Sequence, residues 1–254
     1  GFHQLPMKKC WSTNEMYNFS FLRNIMCRIR FELLLSNFHL ADNSTDSQNR
    51  LYKIAPLIEM LLQNYQTIYT PGKDIVIDET MVPFKGRLIF KQYIPSKAHK
   101  YGIKLFKLCC TEGYTWSLKV YAGKNNMCKT KMGLGSNISV ELANNLMHEG
   151  RTLYIDNFFT SYELHSVLEK KSHVVGTLRY NKKYMPKCVM DKPLKKGEMV
   201  SREDPNGIVV LKWKDSRDVR MISTKHVPRL MPVKSAKNPK SKEKMKPLAV
   251  IDYN

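Results

Sequence analysis

Two short apolar runs, Ile75-Val76-Ile77 and Leu153-Tyr154-Ile155, each stop at an aspartate, Asp78 and Asp156. Runs of this kind read as strands, and they place the two carboxylates at strand ends. Around them the pattern alternates. Tyr101 to Cys110, a Glu112-Gly113 turn and Tyr114 to Tyr121 predict two adjacent antiparallel strands. Ile138, Leu142 and Leu146 mark a helix closed near Gly150, a second helix runs through Leu164, Leu168 and Lys171, and Val174 to Leu178 is a further strand. Gly133 and Gly135 lack the third glycine of a dinucleotide-binding fingerprint and read as a helix start.

The resulting order, β-β-β-α-β-α-β, is an antiparallel meander followed by α/β alternation. A ribonuclease-H-like fold requires that order, although other mixed sheets begin the same way. The expected class is therefore α/β: a ribonuclease-H-like mixed sheet with an N-terminal helical region and an inserted β-rich module. Residues 1–72 form the helical region. Ser12 and Glu15 have capping-box spacing, and Leu22, Ile25, Met26, Ile29 and Leu33 recur at helical intervals. A second helix starts near Pro56, carries Leu57, Ile58, Leu61, Leu62 and Tyr65 on one face, and ends at Pro71-Gly72. Residues 73–180 form the first part of the core. Residues 181–247 form the inserted module, with a strand pair at Gly207 to Lys214 and Arg217 to Ser223. Within it, six lysines between Lys234 and Lys246 have the composition of a solvated linker, with phosphate contact or nuclear import as alternatives. Residues 248–254 return to the core.

Against 22 Asp and Glu stand 42 Lys and Arg, a net charge of +20. Such an excess favours a polyanion, and nucleic acid first, because Lys and Arg on phosphates release counterions; a merely soluble basic surface is the alternative. No apolar stretch is long enough to span a bilayer, so no membrane attachment is expected. Cysteines 10, 27, 109, 110, 128 and 188 never approach C-x-x-C spacing, which argues for free thiols and against zinc. Residue 1 is a Gly within Gly-Phe-His-Gln-Leu-Pro, which reads as an excised piece.

Taken singly, an Asp after a strand is ordinarily a turn residue or helix cap. The flanking text says more. Ile77-Asp78-Glu79-Thr80-Met81-Val82-Pro83-Phe84-Lys85-Gly86-Arg87 resembles the first catalytic segment of piggyBac transposases, and Ile155-Asp156-Asn157-Phe158-Phe159-Thr160-Ser161 is similar to their second. Lys91 to Lys97, Lys100 to Lys104, Tyr121 to Lys124, Gly133-Leu134-Gly135, Gly176 to Arg179 and Asn181-Lys182 follow in the family's order. Upstream, Arg30-Phe31-Glu32 and Arg50 to Lys53 also fit.

That resemblance implies that Asp78 and Asp156 are catalytic and are two of three acidic ligands for Mg²⁺ or Mn²⁺. Two such ions, held roughly 4 Å apart by hard oxygen ligands, activate the attacking oxygen and stabilise the leaving one. It further implies excision and insertion at TTAA sites, double-stranded DNA (transposon ends and target) as partner, a homodimer in the full-length protein, and a nuclear location. The family's third Asp lies in a Gly-Gly-Val-Asp segment a few residues past Asp-Tyr-Asn. Asp252 matches the residue before Tyr-Asn and is not assigned catalysis, so the chain is expected to be C-terminally truncated, without an intact site and without the family's zinc module.

Lys85, Arg87, Lys97, Lys100, Lys104, Arg179 and Lys182 are candidates for phosphate contact, Arg87 and Arg179 foremost because a guanidinium grips phosphate bidentately. Of the aromatics in or near these motifs, Tyr93, Tyr101, Phe158, Phe159 and Trp213, core packing is the expectation for all but Tyr93. Two other functions stay open beside the transposase: a domesticated DNA- or chromatin-binding protein without catalysis, and an unrelated RNA-processing nuclease of the same fold class.

Overall fold

A computed structural model of the chain describes residues 5–18, 20–42, 44, 49–123, 132–147, 149–168, 172–233 and 243–254. The chain divides into two compact units, 1–59 and 60–254, the boundary falling within helix α3 (Ala55–Ile68). Cys128 and Lys171 lie outside the described residues, as do residues 234–242 of the Lys-rich stretch.

In the first unit the expected helix is broken. Helices α1 (Ser20–Ile25) and α2 (Arg28–Asn37) are separated at Met26-Cys27, and neither buries a residue. The capping box does not form. Asn14 instead accepts the Met16 N–H at 3.0 Å and its own N–H donates to Ser12 Oγ, closing a single 3₁₀ turn over Glu15–Tyr17. The Trp11 indole donates to the Met26 carbonyl at 2.9 Å and its ring packs 5.1 Å from Phe31. Pro56 sits in the first turn of α3 as expected, and Ile58, Leu61, Leu62 and Tyr65 are half-buried while Leu57 is exposed.

The second unit is built on one large mixed sheet. Its strands are β1 (Asp74–Pro83), β2 (Gln92–Tyr93), β3 (Tyr101–Cys110), β4 (Thr115–Val120), β5 (Thr152–Ile155), β6 (His173–Thr177), β7 (Met199–Glu203), β8 (Val209–Lys214) and β9 (Asp218–Ser223). They lie in the order β2-β3-β1-β5-β6-β9-β8-β7, with β4 also paired to β3. β1 is antiparallel to β3 and parallel to β5, and β5 is parallel to β6. This is the expected ribonuclease-H-like arrangement, an open mixed sheet and not a closed barrel. The β3–β4 turn needs Gly113, whose φ of 87° lies in the left-handed region that side chains disfavour.

Side chains alternate along each strand, and both faces are covered. Ile75, Ile77, Leu153, Ile155 and Val174 point to one face, against helix α4 (Leu134–Ala143) through Ile138 and Leu142 and helix α5 (Tyr162–Leu168) through Leu164. Val76, Tyr154 and Val175 point to the other, where they meet Leu211, Trp213, Met221 and the short helix α7 (Leu248–Tyr253) through Ala249 and Val250. Two glycines mark close approaches, Gly135 against backbone and Gly176 against a side chain. A Cβ on Gly135 would stand 2.4 Å from the Phe158 carbonyl oxygen, and one on Gly176 2.4 Å from Thr160 Oγ1.

The expected strand pair of the inserted module is β8–β9, and it joins the main sheet through β9 beside β6. A four-residue helix, α6 (Lys187–Met190), packs under β8 with Val189 and Met190 buried. The Lys-rich stretch is not all linker. Lys244–Pro247 forms β11, paired antiparallel with β10 (Leu230–Val233) in a two-stranded sheet, because alternating Lys, Met, Lys and Pro give a backbone that can ladder even where the lysines stay in water.

Candidate active site at the ends of two parallel strands

The last pair on the parallel ladder between β1 and β5 is Ile77 with Ile155, so Asp78 and Asp156 are the next residue on each strand. Neighbouring strands run about 4.8 Å apart, and residues level with one another point to the same face. Asp78 thus shares the face of Val76, and Asp156 that of Tyr154, beneath α7. Both line a cleft of about 580 Å³ together with Asp74, Thr111, Asp252 and Tyr253.

Local hydrogen bonds fix each carboxylate by one oxygen. Asp78 Oδ1 accepts the Glu79 N–H at 2.7 Å, and Asp156 Oδ1 accepts the Phe158 N–H. The Asp156 carbonyl accepts from the N–H groups of Phe159 and Thr160, both at 3.1 Å, and from Thr160 Oγ1 at 2.8 Å. The turn is pinned from below, where Phe159 is fully buried and Phe158 stacks on Phe106 with ring centroids 6.0 Å apart. Neither carboxylate has an ion-pair partner among the described residues.

Asp252, in the same cleft, is otherwise engaged. Its Oδ2 accepts from Tyr154 Oη at 2.7 Å, Lys225 Nζ at 2.7 Å and His226 Nε2 at 2.9 Å. Burial opposes its ionisation, but the bonds from Lys225 and Tyr154 win and hold the carboxyl down at about 2. Burial, then the bond to Asp252, pushes the Tyr154 phenol up to about 12. Tyr253, next in sequence, donates to the Ile155 carbonyl at 3.2 Å; burial, then the charges of Asp156 and Asp78, raise its phenol above the ordinary value. Asp252, Tyr253, Lys225 and His226 carry no spacing that the sequence could reveal, because Tyr154 and Lys225 stand 71 residues apart and Lys225 and Asp252 27.

The family profile described as Transposase IS4 matches residues 1–254. Over 234 residues the chain is 30% identical to PiggyBac transposable element-derived protein 3 of Homo sapiens, and over 236 residues 26% identical to PiggyBac transposable element-derived protein 2 of Homo sapiens. The chain belongs to the piggyBac transposase family. Each alignment covers 88% of this chain and 40% of the relative, so the chain spans about two fifths of the length of these curated relatives. It shares its fold with the piggyBac transposase in a cryo-EM structure of a synaptic complex with hairpin DNA: the TM-score is 0.82 at 23% identity, over 98% of this chain and 52% of that one.

The basic residues of the piggyBac-like motifs fall into three groups. Lys97 (3.6 Å) and Lys104 pair with Glu79, and Lys104 also lies 4.9 Å and 4.6 Å over the rings of Phe106 and Phe158. Burial works against Glu79 ionising, yet the Lys104 ammonium, with Lys97, holds its carboxyl below the usual range. Arg179 Nε donates to Asn157 Oδ1 at 2.6 Å and Lys182 Nζ to the Thr160 carbonyl, so both brace the turn that follows Asp156. Burial, then the charge of Arg179, pulls the Lys182 amine down. Lys85, Arg87 and Lys100 are exposed and form no ion pair among the described residues. Among the aromatics, Phe159 and Trp213 are core and Phe158 packs against it, but Tyr101 is not: it is more than half exposed at the start of β3, where its cross-strand neighbour is Tyr93 of the two-residue strand β2.

Among the described residues no three His, Cys, Asp or Glu are grouped to hold a metal, and no helix is long and apolar enough to cross a membrane. Asp78 and Asp156 nonetheless suit a hard divalent cation: two unpaired carboxylates, side by side on rigid strands, open to a cleft.

Proposed function

We propose that this chain is the nucleic-acid-handling core of a piggyBac-type cut-and-paste DNA transposase acting on duplex DNA at TTAA-type sites. The observation that carries the proposal is the parallel register of β1 and β5, which sets Asp78 and Asp156 level at the mouth of one cleft. The charge of +20 supports a polyanionic substrate, and the neighbour of like fold was solved with hairpin DNA. Asp78 and Asp156 would hold Mg²⁺ or Mn²⁺, which when bound activates the attacking oxygen and stabilises the leaving one. The protein's part is positional. The turn 156–160, braced by Arg179 and Lys182, keeps Asp156 in place, and Lys85, Arg87 and Lys100 would hold phosphates of the strand being cut. A homodimer and a nuclear location belong to the same reading.

The test is to append to residues 1–254 the C-terminal segment of an active piggyBac transposase that carries the third Asp. Mn²⁺-dependent nicking of duplex DNA is expected, abolished by Asp78→Asn or Asp156→Asn while DNA binding persists. Undiminished nicking by both variants rejects the site. A second reading, a domesticated DNA-binding protein without catalysis, draws support from the relatives of similar sequence, which are named as transposable element-derived proteins. Under it the appended protein binds DNA and never nicks.

A further inference from the structure

Tyr93 and Tyr101 face each other directly across the β2–β3 ladder, their ring centroids 4.7 Å apart and their planes inclined by 36°. Cross-strand aromatic pairs ordinarily serve to cover a sheet. This one is 54% and 56% exposed, and neither hydroxyl makes a hydrogen bond among the described residues. Ile89, in the loop that leads into β2, is 87% exposed.

The surroundings of the pair have one sign. From Thr80 to Thr111 the chain carries seven Lys and Arg and no Asp or Glu. Glu79, just before this stretch, is already neutralised by Lys97 and Lys104. Lys91 Nζ stands 5.8 Å over the Tyr101 ring, and Lys85, Arg87 and Lys100 are free to meet a phosphate chain. Exposed rings within a strip of net positive charge are the composition of a single-strand site, where bases stack on aromatic faces while cations track the backbone. A base inside a duplex offers no free face to such rings, because its neighbours occupy both.

We propose that the Tyr93–Tyr101 pair is a stacking platform for an unpaired base of single-stranded DNA, with Lys85, Arg87, Lys91 and Lys100 on the flanking phosphates. The proposal rests on the DNA-handling reading above and narrows it to one surface and one form of the substrate. An acidic protein would satisfy the cations without needing the rings, and its absence of bases is what the test exploits.

Fluorescence anisotropy with the intact chain compares a blunt duplex, the same duplex with a short thymine overhang, and the same duplex with an overhang of equal length made of abasic sugars. Stacking contributes about 1–3 kcal/mol per base, so the thymine overhang should bind at least about fivefold tighter than the abasic one. Tyr93→Leu with Tyr101→Leu should erase that ratio and leave blunt-duplex affinity unchanged; Tyr93→Phe with Tyr101→Phe should preserve it. Lys85→Ala with Arg87→Ala should weaken all three DNAs together. If the double Leu variant does not fold, Tyr93→Leu alone, on the two-residue edge strand, is compared with Tyr93→Phe. Equal affinity of the wild type for both overhangs, with duplex binding intact, overturns the platform and spares the DNA reading, as does a ratio that survives the Leu substitutions. Failure to bind any of the three DNAs overturns both.

Discussion

Asp252 accepts the Nε2–H of His226 at 2.9 Å, and Ser223 Oγ lies 2.9 Å from the other ring nitrogen. Burial holds the imidazole below its usual range in spite of the neighbouring carboxylate, so the ring is neutral at pH 7 with its proton on Nε2 and its lone pair turned to the serine hydroxyl. This pairing ties α7 to the loop after β9.

The first prediction concerns that tie. A carboxyl whose folded value is depressed to about 2 from an ordinary 3.8 adds stability that is present above the ordinary value and is lost as pH falls through the folded one. Asp252→Asn should therefore destabilise the chain by about 1 kcal/mol at pH 7, a figure reduced for solvent screening of a carboxylate about a third exposed. The gap to wild type should close between about pH 4 and pH 2. Urea titrations at stepped pH read it directly, and a gap that widens on acidification contradicts the assignment.

His165 sets a second pH dependence. It is wholly buried, its Nδ1–H donates to the Ser161 carbonyl at 2.8 Å, and burial drives the imidazole down to about 4. The unfolded chain takes up a proton here near pH 6.5 that the folded chain refuses until about 4, so stability is full above 6.5 and falls as pH drops towards 4. The loss amounts to about 3 kcal/mol. His165→Gln should flatten the stability profile across that window whatever it costs at neutral pH. An unchanged slope between wild type and variant would show that the proton goes elsewhere.

The sheet was legible because its interior strands announce themselves. Ile75-Val76-Ile77 and Leu153-Tyr154-Ile155 are apolar on both faces because α4 and α5 cover one side, while on the other α7 packs over them beside the same-face side chains of β8 and β9. The N-terminal helices were legible only in part. Ile25, Ile29 and Leu33 keep helical spacing, but they are more than half exposed and no packing partner enforces one continuous helix across Met26-Cys27. Asp78 and Asp156 were found from flanking motifs, and the ladder then brought them level. The Asp252 network was invisible, since Tyr154, Lys225-His226 and Asp252 lie on three separate segments and only the fold assembles them. β11 was hidden because lysine-rich text looks solvated whether or not its backbone is paired.

DNA binding should be steeply salt-dependent. Each neutralised phosphate releases about 0.9 counterion, so a contact set of roughly six phosphates gives a slope of log K against log salt near −5. Removing Arg87 and Lys100 together, both exposed, should make the slope shallower by about 2, whereas Lys104→Ala should first cost stability through its bond to Glu79. A wild-type slope near −1 is incompatible with phosphate contacts as the source of affinity.

The last prediction separates the two acids assigned to metal from the one that is not. With two carboxylates the chain should bind Mn²⁺ weakly, and electron paramagnetic resonance of free Mn²⁺ measures this without any turnover. Asp78→Asn and Asp156→Asn should each weaken binding by at least on the order of tenfold, since each removes one of the two charged ligands assigned to the cation while preserving shape and the backbone bond to Glu79 or Phe158. Asp252→Asn should leave Mn²⁺ affinity nearly unchanged even though Asp252 lines the same cleft, because three protein donors already occupy its Oδ2. If Asp252→Asn weakens Mn²⁺ as much as the other two, the cation sits lower in the cleft, against α7, and the strand-end assignment is wrong.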